Sequence, residues 1–359
     1  MRCLFALSAD FGEFVTASLM SRGQPFERLF ALPPQLAAAA GDLPHAAYRR
    51  AEDISALAQS ARADLVVLGS GYLFAINNLF GPDELAALVE RLRASGVALA
   101  STDPWLRLRA LRPQARFSIH SARRRGVDPA QSERIAALQR RLEAILGRLP
   151  HLLVVPAPLA EGVFNPKFAS SFREETETET DTWLFVLGRE DLAIAGDAFF
   201  EHLEARLREL LAVRKNRIRF IAPARVGEFL GRAFAGEPRI EHLPFCDFQR
   251  FESEVRGARI VAYWNALSAS ALYCLYHGVA PVFFGHGHQA AVLEGLLEHA
   301  VEHVYRGRPP VFLDLGARLE PDASALLERH RIAGWLATLR ADYEKLPDPS
   351  SVMERLCHR

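Results

Sequence analysis

The sequence predicts an α/β protein with two doubly wound, Rossmann-like parallel-sheet domains that face a central cleft. Short apolar segments alternate with amphipathic segments along most of the chain, which is the pattern of parallel strands covered by helices on both faces. The acidic run REETETETD at residues 173–181 interrupts this alternation, which then starts again. The length of 359 residues is sufficient for two domains of ordinary size.

Composition and charge exclude several classes of function. The chain is 50% hydrophobic and carries 43 Lys and Arg residues against 43 Asp and Glu residues, so no global basic field favours nucleic acid or an anionic membrane surface. No run of about 18 uncharged apolar residues predicts a transmembrane segment, and the N-terminus lacks the pattern of a secretory signal peptide. The four cysteines are far apart, and we expect them to be reduced thiols in a cytoplasmic protein.

The first half of the chain has apolar segments that predict strands and periodic segments that predict helices. The predicted strands are residues 3–8, 29–32, 64–69, 97–100 and 152–155. The predicted helices are residues 14–21, 53–61, 82–94 and 129–148, and the third begins at a proline, which is favoured in a first helical turn. We therefore predict an N-terminal domain at residues 1–172 and an acidic linker at residues 173–182, which has no apolar residue to bury.

The second half repeats the alternation. The predicted strands are residues 183–187, 217–221, 240–245, 260–263 and 282–284. The predicted helices are residues 198–213, 225–234, 248–256, 323–329 and 332–343. We therefore predict a C-terminal domain at residues 183–320, followed at residues 321–359 by closing helices that pack back on the first domain.

The stretch YWNALSASALYCLYHGVAPVFFGHGHQ, residues 263–289, has the most specific pattern. Asn265, Ser268 and Ser270 precede a helical run that ends before Gly278, and an apolar strand then leads into a loop rich in glycine and histidine. Ligands of parallel sheets bind at the carboxyl ends of the strands, and a helix start favours an anion such as phosphate. Capping of the helix by Ser268 is an alternative that is compatible with phosphate binding.

This order of elements resembles the donor-binding half of GT-B glycosyltransferases. The resemblance covers residues 183–316 in pattern, including a Gly-x-x-Pro turn at residues 278–281, and the whole chain in architecture. It implies that the first domain holds the acceptor and that the second binds a nucleoside-diphosphate sugar, which is a substrate, so that no cofactor is expected. One position departs from the family pattern, because Tyr273 stands where many members carry a glutamate for the ribose hydroxyls.

The resemblance also implies roles for single residues of the second half. The residues implied to contact the diphosphate and the sugar are Asn265, Ser268, Ser270, His286, His288 and Gln289. Arg189 would reach the diphosphate with its guanidinium, and pairing with a nearby surface carboxylate is the alternative. Phe245 would stack on the nucleotide base, and a place in the hydrophobic core is the alternative.

The chemistry of sugar transfer requires a general base on the acceptor. We expect an inverting, metal-independent reaction in which a carboxylate of the first domain is that base. The loop SADFGE at residues 8–13 places Asp10 and Glu13 around Gly12, and it is faintly similar to the Asp-x-x-Gly-Asp loop of bacterial protein-arginine rhamnosyltransferases, which are inverting GT-B enzymes. Alternatively, Asp10 caps the following helix and Glu13 is a solvated acid of its first turn.

Three further residues are candidates on the acceptor side, with Asp103 as a rival general base and His120 as a third candidate for the base. Asp103, in the segment STDPWL, also ends a predicted strand, although Asp before Pro is ordinary turn chemistry. Trp105 beside it would form a platform for the acceptor. His120 precedes a basic run at residues 123–125, which would steer an anionic acceptor or simply be a solvated face.

Other functions remain open at this stage. One alternative is a sugar-nucleotide 2-epimerase of the same fold, and another is a non-catalytic, two-lobed binding or scaffold protein, which the missing ribose glutamate favours. His299 and His303 have a spacing that suits zinc, but no partner motif accompanies them, so we predict no metal site. The acceptor could be a protein, a glycan or a small molecule.

Overall fold

The structure of the chain is a computed structural model with two compact units. It describes the whole chain except residues 72–73, 75–78, 103–128, 154–161, 168–180, 189–191, 193–197, 265, 267, 285–300, 303 and 359. The first unit comprises Met1–Ser171, Val292–Arg306 and Asp342–Arg359, and the second comprises Phe172–Ala291 and Gly307–Ala341. Each unit contains one parallel sheet, so the predicted α/β class with two Rossmann-like sheets is confirmed.

The sheet of the first unit has seven strands among the described residues, in the order β3-β2-β1-β4-β5-β6-β7. The strands are β1 (Arg2–Leu7), β2 (Glu27–Leu32), β3 (His45–Ala47), β4 (Leu65–Gly69), β5 (Ala98–Thr102), β6 (His151–Leu152) and β7 (Val163–Phe164). All of these pairings are parallel. The order reverses between β1 and β4, and in open α/β sheets ligands bind at the carboxyl side of such a reversal.

The sheet of the second unit has six strands among the described residues, in the order β10-β9-β8-β11-β12-β13. The strands are β8 (Asp181–Val186), β9 (Asn216–Ile221), β10 (Ile240–Leu243), β11 (Ile260–Tyr263), β12 (Ala280–Phe284) and β13 (Phe312–Leu313). These pairings are parallel too. The reversal in this sheet lies between β8 and β11, so both units have the same doubly wound strand order.

The described helices up to α9 connect these strands, as expected for crossover connections between parallel strands, and the last three helices follow β13. In chain order they are α1 (Phe11–Ser21), α2 (Pro34–Ala37), α3 (Ala51–Ser60), α4 (Pro82–Ala94), α5 (Pro129–Leu146), α6 (Ala198–Ala212), α7 (Ala224–Ala233), α8 (Phe248–Arg256), α9 (Ala271–His277), α10 (Ala323–Arg329), α11 (Ile332–Glu344) and α12 (Pro349–Cys357). None of the described helices is long and apolar enough to cross a membrane.

The core of each unit is built on its central strands. Residues 3–7 of β1 and all of β4 are buried, because helices cover both faces of a parallel sheet. On one face of the first sheet, β4 packs against apolar residues of α3, α4 and α5. On the other face, the ring of Phe30 lies 5.7 Å from that of Phe5 and 5.4 Å from that of Phe14. In the second sheet, Phe185 stacks on Phe220 at 4.8 Å.

The second unit also contains a charge network around one buried carboxylate. The side chain of Glu254 on α8 is 2% exposed and lies 2.7 Å from Nη1 of Arg219 on β9. Its other oxygen lies 2.6 Å from Nη2 of Arg250, one turn earlier on the same helix. Arg219 Nε also contacts Glu241 on β10 at 3.1 Å. A buried carboxylate is tolerated only with such partners. The network connects α8 to strands β9 and β10.

Most predicted boundaries agree with the structure within a few residues, and three differences bear on the domains. Helix α1 begins at Phe11 rather than at residue 14. Strand β8 begins at Asp181, so the predicted linker overlaps it by two residues, while residues 173–180 lie outside the described residues. The closing helices divide between the units, since α10 belongs to the second and α12 to the first.

The C-terminal segment is held to the first unit by polar contacts. Lys167 Nζ lies 3.7 Å from Glu344 Oε2 and 3.5 Å from Asp348 Oδ1. The amide of Ser350 donates to Gln24 Oε1 at 3.1 Å. These contacts hold α12 on the first unit, as predicted for the closing segment, although the sequence did not predict α12 itself as a helix.

Candidate functional site

The carboxyl end of β1 presents Asp10 at the start of α1. Asp10 is the N-cap residue, and its carboxylate accepts a hydrogen bond from the amide of Gly12 at 2.7 Å. Its own amide donates to Ser8 Oγ at 3.3 Å. The capping role left open by the sequence is therefore observed, as is typical of aspartate at this position. Asp10 is nevertheless exposed, so its carboxylate remains accessible.

Glu13 lies on the same helical turn but is buried. Only 4% of the surface of Glu13 is exposed, so the alternative of a solvated first-turn acid is wrong. Ser70 Oγ donates to Oε1 of Glu13 at 2.5 Å, and Thr102 Oγ1 donates to Oε2 at 3.0 Å. Ser70 follows β4 and Thr102 ends β5. Three neighbouring segments of the sheet edge therefore converge on one carboxylate.

Ser70 and Thr102 are site residues that the sequence reasoning missed. The two residues also contact each other directly, because the backbone amide of Ser70 donates to Thr102 Oγ1 at 2.6 Å. Ser101 is bonded next to them, accepting from the Gly71 amide at 3.1 Å. The available signal was Ser70 directly after the buried segment LVVLG and the polar pair Ser101-Thr102 after the segment ALA. Polar residues at the carboxyl ends of neighbouring parallel strands meet at one edge of the sheet.

In the second unit, Ser268 and Ser270 precede α9. Their hydroxyl oxygens lie 2.8 Å apart. Ser270 is the N-cap residue, is 6% exposed and makes no capping hydrogen bond with its side chain. The N-cap position therefore falls on Ser270 rather than on Ser268. The two hydroxyls form a polar pair near the carboxyl end of β11.

The rest of α9 is a core helix. All seven of its residues are buried, and Tyr273 is fully buried against the rings of Phe248 at 5.6 Å and Phe251 at 5.7 Å. Tyr273 occupies the position at which the resemblance implies a ribose-binding glutamate. Its environment is apolar and closed, so a carboxylate there would be buried in the core.

The carboxyl end of β10 presents Phe245 and His242. Phe245 is 63% exposed, which excludes the alternative of a core residue. His242 Nε2 lies 2.9 Å from the carbonyl oxygen of Ala222 at the end of β9. The ring of His242 lies against Gly227 of α7, where an added Cβ would be only 2.5 Å from Nδ1.

Several sequence candidates lie outside the described residues. They are Asp103, Trp105, His120, Arg189, Asn265, His286, His288, Gln289, His299 and His303. Within the part of the chain that the structure describes, no three His, Cys, Asp or Glu side chains form a group that could hold a metal ion. The four cysteines, all described, are free thiols.

Comparison with known proteins identifies the architecture. No family model and no curated protein matches the sequence. The glycosyltransferase SnogD from Streptomyces nogalater superimposes with a TM-score of 0.55 at 13% identity, covering 100% of this chain and 99% of that one. The chain has the GT-B fold. The glycosyltransferase VinC in complex with dTDP matches with a TM-score of 0.54 at 12% identity, covering 100% of this chain and 99% of VinC.

A further GT-B structure matches over the same length. The spinosyn rhamnosyltransferase SpnG has a TM-score of 0.53 at 14% identity, with 99% of this chain and 100% of SpnG covered. It has been solved with thymidine diphosphate and with spinosyn aglycone. At such identities the likeness establishes the GT-B fold of this chain, and the ligands are those of the other proteins.

Proposed function

We propose that the chain is a glycosyltransferase that moves a sugar from a nucleoside-diphosphate sugar to an acceptor. The observation that carries this proposal is the full-length similarity of the chain to GT-B glycosyltransferases. Structures of three of them contain dTDP or thymidine diphosphate. A thymidine nucleotide is therefore the first donor to test. No cofactor beyond the donor is part of the proposal.

We propose that the donor binds at the carboxyl edge of the second sheet. The paired hydroxyls of Ser268 and Ser270 are suited to a phosphate oxygen, because the hydroxyl that accepts the bond within the pair keeps its own hydrogen for donation. The exposed ring of Phe245 offers a face for stacking on the base. Arg189, Asn265, His286, His288 and Gln289 remain proposed donor contacts on the strength of the sequence resemblance.

We propose that Asp10 is the general base of an inverting transfer. In that reaction the acceptor O–H loses its proton to the carboxylate while its oxygen forms a bond to the anomeric carbon. The bond to the diphosphate oxygen breaks with its electron pair, and the nucleoside diphosphate leaves as an anion. Asp10 is supported by its exposure and by the amide of Gly12 that orients it. Asp103, Trp105 and His120 stay alternative acceptor-side residues.

The acceptor is the least defined part of the proposal. It is a protein, a glycan or a small molecule that offers a hydroxyl or another nucleophile. SpnG has been solved with an aglycone, so hydroxylated small molecules are the first class to test. Such compounds can be screened with dTDP-, UDP- and GDP-sugars by detecting the nucleoside diphosphate that is released. This signal is the same whichever acceptor receives the sugar.

Titration calorimetry with dTDP, UDP and GDP tests the proposal first. We expect one of them to bind the wild-type chain, and we expect Asp10→Asn to retain this binding and to lose turnover. Ser270→Ala and Gln289→Ala should each weaken donor binding by about 1–3 kcal/mol. Asp322→Asn is a matched control, because Asp322 also caps a helix but has no proposed role in catalysis. Absence of binding to all three nucleotides would contradict the proposal and favour a scaffold protein.

A further inference from the structure

The three buried side chains Glu13, Ser70 and Thr102 form a closed hydrogen-bonded ring, which we call the Glu13 ring. Their residues are 4%, 0% and 1% exposed. Ser70 contacts Glu13 through its hydroxyl and Thr102 through its amide, and Thr102 in turn contacts Glu13. Ser70 has a left-handed backbone with φ of 39°, which is uncommon for a residue other than glycine. The ring is therefore held in a specific conformation.

The hydrogen-bond pattern of the ring suits an anionic Glu13. Thr102 Oγ1 accepts from the Ser70 amide at 2.6 Å, so the Thr102 hydroxyl hydrogen is available for Oε2 of Glu13. The Ser70 hydroxyl donates to the other oxygen. Each carboxylate oxygen thus receives a hydroxyl donor within the ring, and such donors stabilise a buried negative charge. With only 4% of the residue exposed, Glu13 is poorly placed to contact an acceptor.

The position of the ring in the fold is the point at which ligands bind in sheets of this class. The strand order reverses between β1 and β4, and Glu13 and Ser70 lie in the segments that directly follow these two strands. A helix start at such a reversal attracts a phosphate through its free amides and its dipole. Here α1 brings its own negative charge, because Glu13 is in its first turn.

We propose that Glu13 is an internal anion that occupies this ligand position of the first unit and fixes the start of α1. It is then a positioning residue for Asp10, which caps the same turn through Gly12. The bonds of Glu13 to Ser70 and Thr102 anchor this turn to the ends of β4 and β5. The bond from the Asp10 amide to Ser8 anchors it to the end of β1. The role of Asp10 as base rests on the proposed function, whereas the internal anion does not.

Anion replacement tests the proposal without any activity assay. In Glu13→Ala, the missing carboxylate should leave a space that fits formate. The hydroxyls of Ser70 and Thr102 and the start of α1 would surround it. We expect formate to raise the Tm of Glu13→Ala by at least about 2 °C more than equimolar chloride does, by binding to the folded state. Wild type should respond equally to both salts. Adding Thr102→Val to Glu13→Ala should reduce the formate response by at least half.

Equal responses of Glu13→Ala to formate and chloride would overturn the proposal. If Glu13→Ala does not fold, a double-mutant cycle with Glu13→Gln and Thr102→Val replaces it. The losses of Tm should then be clearly less than additive, because both changes break the same bond. Additive losses would equally overturn the proposal.

A second readout tests the positioning of Asp10. Hydrogen exchange of a peptide covering residues 8–20 should be faster in Glu13→Ala and should slow again with formate. If the wild type transfers sugar, Glu13→Gln should lower kcat about 100-fold with the donor KM within about twofold. Formate should restore kcat to Glu13→Ala and not to Asp10→Asn. A wild type without turnover contradicts the proposed function only, whereas unchanged exchange and unchanged kcat contradict the positioning role.

Discussion

Two glycines of helix α7 permit a stability prediction with an internal control. At Gly227, an added Cβ would lie 2.5 Å from Nδ1 and 2.6 Å from Cε1 of His242. At Gly231, one turn later in the same helix, an added Cβ would meet nothing within 4 Å. We expect the same substitution, glycine to alanine, to destabilise the protein at the first position and to stabilise it at the second.

The magnitude follows from the geometry at His242. Restoring an ordinary contact of about 3.5 Å requires the imidazole to move by roughly 1 Å. Such a shift breaks its bond to the Ala222 carbonyl, now 2.9 Å long. Overpacking costs about 1–3 kcal/mol and the lost bond about 1 kcal/mol, while alanine returns up to about 1 kcal/mol of helix propensity. Gly227→Ala should thus lose about 1–3 kcal/mol.

Gly231→Ala should gain about 0.5–1 kcal/mol, because only the propensity difference operates. The two variants should therefore differ in Tm by about 5–10 °C in a unit of this size. Urea and thermal unfolding measure both changes in stability. The double variant Gly227→Ala/His242→Ala should recover part of the loss, because it lacks the clash. Equal effects of Gly227→Ala and Gly231→Ala would refute the close approach of His242 to α7.

Three further predictions concern the charged and thiol groups of the second unit. Glu254→Gln should lower the free energy of unfolding by about 2 kcal/mol in urea titration, because two charged hydrogen bonds are weakened at a buried site. The amide of Ala325 is the first cause of the lowered pKa of Asp322. This depressed pKa stabilises the fold above the pKa of the unfolded chain, and the contribution is lost as pH falls through the folded pKa. The stability difference between wild type and Asp322→Asn should therefore shrink below about pH 4 in acid titration. Burial raises the pKa of Cys274 to about 12 and that of Cys246 to about 11. Iodoacetamide at pH 8 should therefore label Cys246 before Cys274, as mass spectrometry would show.

The elements that were predictable from sequence have local signals at both ends. Helix α4 runs from Pro82 to Ala94 as expected, because proline is favoured in the first turn and Gly96, with φ of 76°, ends the segment. Strands β3, β7 and β13 were missed because they have only three, two and two residues. Such strands exist through pairing with a neighbour, and a window of two residues contains no periodicity.

The candidate site was predictable where its interactions are local. The cap formed by Asp10 spans two residues and follows from the segment SADFGE. The burial of Glu13 was not predictable, because its partners Ser70 and Thr102 are 57 and 89 residues away in the sequence. A carboxylate in a first turn is usually exposed, and only the convergence of three strand ends changes this outcome.

The two units share one strand order but differ in the charge at their carboxyl edges. In the first, the segment after β1 begins a helix with the buried carboxylate of Glu13. In the second, the segment after β11 offers the hydroxyls of Ser268 and Ser270, and α9 has no acid in its first turn. A diphosphate placed near Glu13 would meet a like charge at low dielectric, where repulsion is strongest. Strand order alone thus makes both edges candidate ligand sites, and the buried carboxylate of Glu13 supports the proposed placement of an anionic donor at the second edge.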